Sequence, residues 1–148
     1  METATDRINK IDQAALSTAA GTDNAFAKVL RVTGRALLGI YFILPGVMKV
    51  FGFEATSALM TAHQVPFVPV LLVLTIVLQI GGGTMLAIGY RSAPVAFVLA
   101  GLTLVISVYM HNFWALEEGI ERSHELQNFV KNLAIMAGLM FVAGTTKR

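Results

Sequence analysis

Four long apolar runs fill the chain between Leu30 and Gly144: Leu30–Lys49, Phe67–Gly89, Ala93–Phe113 and Leu126–Gly144. A helix rises about 1.5 Å per residue and needs about 20 residues to cross the hydrocarbon of a bilayer. Each run has that length. The pattern predicts an all-α protein, a four-helix transmembrane bundle folded in lipid. In that solvent a polar side chain inside a run is costly, so it needs a partner, a cavity or a nearby helix end.

The polar and small residues of the runs align on helical faces. In the first, Arg35, Gly39, Phe42, Gly46 and Lys49 follow the i, i+4, i+7, i+11, i+14 series. Pro45 lacks an N–H, deprives the Tyr41 carbonyl of its usual partner and predicts a kink. Thr75, Gln79 and Gly82–Gly83 share a face in the second run, and Ala96, Ala100, Thr103, Ser107 and His111 in the third. The fourth opens with Asn128, Lys131 and Asn132 at i, i+3, i+4. Such stripes are what an antiparallel membrane bundle buries, and helix packing alone accounts for Gly39, Gly46, Thr75, Gly82 and Ser107.

Residues 1–26 are a different material, rich in Ala, Thr, Asp and Asn and without the apolar stretch of a signal peptide. They are expected to form a mobile tail ahead of a membrane domain at 27–148, with Ile8, Ile11 and Ala15 allowing a weakly amphipathic turn or two. Thr22 and Asp23 are placed to cap a helix entering the membrane through Phe26, Val29 and Leu30. No internal repeat stands out.

Composition agrees with the runs: of 148 residues, 55% are hydrophobic and 14% charged, too apolar for an ordinary soluble domain. Cysteine is absent, which excludes disulfides, thiol relays and thiolate-bound metal. The net charge of +2 is small and reads as topology information, not as a nucleic-acid signal. Arg7, Lys10, Lys28 and Arg31 precede the first span, Arg91 lies in the second connection, and Lys147 and Arg148 follow the fourth. The third connection instead carries Glu117, Glu118, Glu121 and Glu125 against Arg122. Cytoplasmic segments collect Lys and Arg, so both termini are expected inside, with 51–66 and 114–125 outside.

The outer ends of the spans hold the candidate chemistry. His111, Asn112, Phe113 and Trp114 end the third, Asn128, Lys131 and Asn132 begin the fourth, and Lys49 ends the first at a similar depth. Trp114 reads equally as an interfacial anchor, and Arg35 and Lys49 as side chains that snorkel to headgroups. Three polar residues on one face of the fourth span exceed what anchoring requires and point to a cavity or partner, with helix-end solvation as the alternative.

These residues resemble the DoxX family. The resemblance is carried by Gly34–Lys49 with Arg35, Gly46 and Lys49; by Val65-Pro66-Phe67, Gln79–Gly83, Gly89 and Arg91; and by His111–Trp114 and Asn128–Ala134. It implies a small four-span bacterial inner-membrane protein. The family is named for a subunit associated with a terminal quinol oxidase, and relatives are linked to quinone and thiol stress. Gln79 stands where relatives often have glutamate, which argues against a carboxylate relay through the second span.

Three classes of function follow. The first is a quinone-linked redox subunit or quinone-binding protein. In it Lys131 and His111 donate to a ring carbonyl, Asn112 and Asn132 orient the ring, and Phe113 and Trp114 stack on it. The second is a non-catalytic scaffold for a redox enzyme or a second copy of the chain. The third, a transporter, is disfavoured by the lack of an inverted repeat and of a mid-span carboxylate. No metal-ligand set, nucleophile dyad or phosphate loop is present. Of His63, His111 and His124 only His111 lies on a span, which disfavours haem. Electrons, if transferred, must come from another subunit or a bound cofactor.

Overall fold

The computed structural model describes the backbone of residues 4–145 and the side chains of 24–145 with Lys10, Asp12 and Gln13. Among these residues every regular element is helical: α1 (Ala4–Phe51), α2 (Phe53–Ala62), α3 (Val68–Val77), α4 (Gly83–Ile88), α5 (Ser92–Met110) and α6 (Ile120–Thr145). A π-helical turn, Leu78–Gly82, joins α3 to α4, and a 3₁₀ turn, Phe113–Ala115, follows α5. Two compact units divide the chain, Met1–Gly34 and Arg35–Arg148. In the first the backbone is helical from Ala4, and the side chains of 24–34 are exposed apart from half-buried Ala27.

Among the described residues four stretches are long and apolar enough to cross a membrane: Asn24–Phe51, Val68–Ile88, Ser92–Ala115 and Ile120–Thr145. They overlie the four apolar runs, with three differences. The helix of the first span begins at Ala4 instead of Thr22–Asp23, whose side-chain capping lies outside the described residues, as do Lys147 and Arg148. The last helix begins at Ile120, six residues ahead of the apolar run. Glu121 in its first turn favours that start, because an acid complements the helix N-terminal dipole. The connection expected between Phe51 and Pro66 is itself mostly helix α2, which has no buried residue. Pro45 lies inside α1, which runs through it as one helix.

The buried faces of the first three spans are the predicted ones, while of the fourth span's Asn128, Lys131 and Asn132 only Asn132 is buried and Lys131 is exposed. Gly39, Phe42 and Gly46 are the buried positions of α1, flanked by half-buried Arg35 and Lys49. On α5 the buried set includes Ala96, Ala100, Thr103 and Ser107, with His111 half-buried at its end. Thr103 and Ser107 donate their hydroxyls to the carbonyls of Leu99 and Thr103, one turn back, so neither leaves a donor stranded. Phe42, Leu86, Ala96, Leu99, Ala100 and Leu139 form the apolar centre.

Glycine sets the closest approach. A Cβ built on Gly39 falls 2.5 Å from the Gly83 carbonyl oxygen, and one on Gly83 falls 2.7 Å from that of Gly39. Seven residues on, a Cβ on Gly46 meets Ile80 Cγ1 at 2.8 Å and Gln79 Cβ at 3.0 Å. Backbones in contact gain dispersion energy that bulkier side chains would forfeit, the usual source of helix association in lipid. The opposite surfaces, with Leu37, Leu44, Val73, Val77, Phe97 and Phe141, are large, apolar and exposed, as lipid-facing surfaces are.

Candidate functional site

The first helix, the π-helical turn and the facing ends of α5 and α6 enclose a polar cavity of about 170 Å³. Its polar lining is Tyr41, Lys49, Gln79, Thr103, His111, Lys131 and Asn132, and Phe42, Pro45 and Ile106 complete the wall. At roughly 30 Å³ per water, this space holds a small head group and not a whole drug-sized ligand. No carboxylate lines it, while two lysines do.

Gln79 and Thr103 are the most buried polar residues of this wall, each 4% exposed, and Gln79 Oε1 has no hydrogen-bond partner. An unpaired polar atom in a low-dielectric interior costs about 1–3 kcal/mol. The fold spends that energy where Gln79 sits on a π-helical turn, a feature frequent at functional sites. A Cβ on Gly46 would fall 3.0 Å from Gln79 Cβ, so the first and second spans are in close contact at this residue. Lys49 is likewise weakly satisfied: its ammonium donates to the Pro45 carbonyl at 3.5 Å, a long contact.

Around these two groups the wall is braced. Tyr41 donates its hydroxyl to Asn132 Oδ1 at 3.3 Å, joining α1 to α6. His111 Nδ1 and Glu125 Oε2 are 2.7 Å apart, joining the end of α5 to the start of α6. Lys131 is exposed and donates to Asn128 Oδ1 at 3.0 Å, so its ammonium borders the cavity from outside instead of filling it.

Of the residues singled out in the sequence, the cavity brings together Lys49, Gln79, His111, Lys131 and Asn132. Asn112, Asn128, Phe113 and Trp114 are not part of its lining. The two aromatics pack edge-to-face on one another at 5.2 Å between centroids and on Phe129 at 5.5 and 5.8 Å. This cluster fastens the turn after α5 to α6, and Trp114 remains exposed. Arg35 is elsewhere. Fourteen residues from Lys49, it lies about 21 Å along the same helix. Its guanidinium covers Gly89, where φ is +84° and a Cβ would fall 2.5 Å from Nη2. Only glycine accepts both that backbone and that neighbour.

A second concavity, about 470 Å³ and almost wholly apolar, opens between α2, α3 and α5. Met60, Leu71, Leu74, Leu78, Val98, Leu102 and Val105 are among its lining, with Thr75. Lys49 and Ile106 line both spaces, so the polar cavity and the apolar cleft meet at these two residues.

Tyr41, Thr103 and Glu125 were missed as site residues. The sequence places Thr103 only on the small-and-polar stripe of the third span and marks Glu125 only as a topology signal. Tyr41 lies one residue off the polar stripe of α1, and an i+8 step from Tyr41 to Lys49 was the available clue.

Comparison with known proteins gives one family. The DoxX family model matches residues 30–112. The chain is 33% identical over 114 residues to inner membrane protein YqjF of Escherichia coli (strain K12), covering 77% of this chain and 82% of that protein. It is 25% identical over 117 residues to inner membrane protein YphA of the same strain, covering 79% and 83%. No solved structure matches the chain significantly.

Proposed function

Because the chain belongs to the DoxX family, we propose that it is a multi-pass inner-membrane protein that binds a quinone-type lipid. The ring occupies the polar cavity and the apolar tail the adjoining cleft. One observation carries the reading: the head-sized polar space and the larger apolar space are neighbours that share Lys49 and Ile106 in their linings. An amphipathic molecule with a compact oxygen-bearing head and a hydrocarbon tail fits that pair of spaces and satisfies groups the protein leaves unsatisfied. The Gln79 Oε1 accepts from a hydroxyl of the reduced, quinol form, the Gln79 amide N–H donates to a carbonyl of the oxidised ring, and Lys49 supplies a charged donor to a ring oxygen. His111 reaches the same space, and Asn132, held by Tyr41, shapes its far side. When bound, a quinone supplies reversible two-electron chemistry; the protein's part is to orient the ring and control access of protons and water.

The inner-membrane location follows from the two Escherichia coli relatives, and the orientation, with both termini cytoplasmic, from the basic and acidic connections. A scaffold that only holds a redox enzyme or a second copy needs no such cavity. Purification from native membrane, with organic extraction of co-purifying lipids, tests the reading. Enrichment of quinone over bulk membrane in the parent, reduced several-fold by Lys49→Met, supports it. Quinone at the bulk membrane ratio in both contradicts it, and a stoichiometric partner protein in its place favours the scaffold.

A further inference from the structure

His111 ends the third span with its ring in the wall of the cavity, and Glu125 lies near the start of the fourth. The 2.7 Å contact ties Nδ1 to the carboxylate. With Glu125 ionised and the ring neutral, the carboxylate can only accept, so Nδ1 carries the hydrogen and Nε2 presents a lone pair. Both side chains are partly open, 23% and 28% exposed. Glu125 also adjoins the connection in which Glu117, Glu118 and Glu121 are exposed, so it sits at the depth where the bilayer meets water. The pair therefore spans from the cavity to that aqueous face. Structural bracing alone does not require an ionisable ring here, since an amide would tie the two helices without one.

From this geometry we propose that His111 and Glu125 form a proton-exchange pair serving a ring hydroxyl of the bound ligand. The proposal rests on the reading of the cavity as a head-group site. His111 accepts the proton at Nε2: the ligand O–H bond breaks, an N–H bond forms, and the electron pair stays on oxygen. Lys49 holds the resulting oxyanion, Lys131 favours it from the cavity's edge, and no carboxylate of the lining opposes it. Glu125 is a positioning residue: it fixes the ring and stabilises the imidazolium without taking the proton, and the imidazolium returns to its starting form by giving the Nε2 proton to water. The titratable and charged groups that face the ring are thus Glu125 by hydrogen bond and Tyr41, Lys49 and Lys131 around the cavity. No oxidant or reductant is needed, because the step is an acid–base exchange.

The test uses the full chain in phosphatidylcholine nanodiscs with a long-chain alkyl 4-nitrophenol, whose phenolate absorbs visible light. Binding is read separately, as saturable quenching of Trp114, the chain's one tryptophan. The bound probe is expected to ionise about one pH unit lower than in empty discs, as nearby cations favour an anion. Glu125→Gln, outside the lining, should return at least half of that shift with binding retained, His111→Gln should return as much, and Glu125→Asp should keep most of it. Saturable binding with an unchanged midpoint in Glu125→Gln overturns the proton-exchange pair alone. Absence of saturable quenching in the parent overturns the head-group reading and the pair with it. Glu125 is partly exposed, so its variant carries the test even where His111→Gln fails to fold.

Discussion

Gly39 and Gly83 face one another backbone to backbone, each so close that a Cβ on either would fall within 2.7 Å of the other's carbonyl oxygen. No side-chain rotation relieves such a clash, so the first and second spans must separate to admit even alanine. Gly39→Ala and Gly83→Ala are expected to lower stability by about 1–3 kcal/mol, the range for overpacking a tight core. Gly82→Ala should cost less, because its neighbour is the flexible end of Leu99 at 3.1 Å. Gly101→Ala meets open space and should be neutral or gain up to about 1 kcal/mol from helix propensity. Thermal unfolding in one detergent, compared across the four variants, checks the order. Equal stability of Gly39→Ala and Gly101→Ala contradicts the close crossing.

Lys49 and Lys131 should separate stability from binding. The Lys49 ammonium sits at the junction of two spaces with a 3.5 Å contact to a carbonyl. Lys49→Met is therefore expected to raise stability by about 1–2 kcal/mol, since a poorly paired charge within a span is costly, while weakening head-group binding at least ten-fold. Lys131 is exposed and bonded to Asn128, so Lys131→Met should weaken binding only two- to five-fold and leave stability unchanged. Thermal unfolding and probe quenching of Trp114 give both readings. A larger binding loss at Lys131 than at Lys49 would place the ligand nearer the fourth span than proposed.

The helices, and the faces they bury, were legible in the sequence for a physical reason. Lipid allows polar residues few places, so the 3.6-residue period of Arg35, Gly39, Phe42, Gly46 and Lys49 marks the interior of α1 directly. Gln79, Lys49 and Asn132 were legible on the same ground. The rest depends on relations that no period records. Helix α2 has a mixed composition and no buried face, so Phe53–Ala62 reads as a connection. His111 and Glu125 meet across a turn, 14 residues apart, and the bond depends on how that turn folds. The same turn directs Phe113 and Trp114 toward Phe129, a choice that two aromatics at a span end do not reveal. The apolar cleft is formed by three helices whose individual sequences are simply hydrophobic.

Tyr41→Phe removes the hydroxyl that reaches Asn132 at 3.3 Å and keeps the ring against Phe42 at 5.3 Å. Interhelical hydrogen bonds in membranes average about 0.6 kcal/mol, so the stability loss should be below about 1 kcal/mol. Ring selectivity should suffer more, because Asn132 loses the group that fixes its orientation. Binding of a methoxy-substituted ring against an unsubstituted one measures this, and an unchanged ratio shows that Asn132 does not read the ring.

Orientation is open to direct labelling, since no cysteine competes. Single cysteines at Glu54, Arg91 and Glu118 lie on exposed positions of the three connections. In intact cells an impermeant maleimide should label Glu54→Cys and Glu118→Cys, while Arg91→Cys should react only after permeabilisation. External labelling of Arg91→Cys reverses the assigned topology.

The central claim, a head in the polar cavity and a tail in the apolar cleft, is tested most directly by photolabelling. A quinone bearing a diazirine on its isoprenoid tail is irradiated with the protein in nanodiscs, and the modified residues are mapped by mass spectrometry. The expected adducts lie on Leu74, Leu78, Val98, Leu102 and Val105, are displaced by excess unlabelled quinone, and fall several-fold in Lys49→Met. Labelling spread evenly over outward positions such as Leu37, Val73 and Phe141, undiminished by competitor, would show a quinone dissolved in lipid and contradict the site.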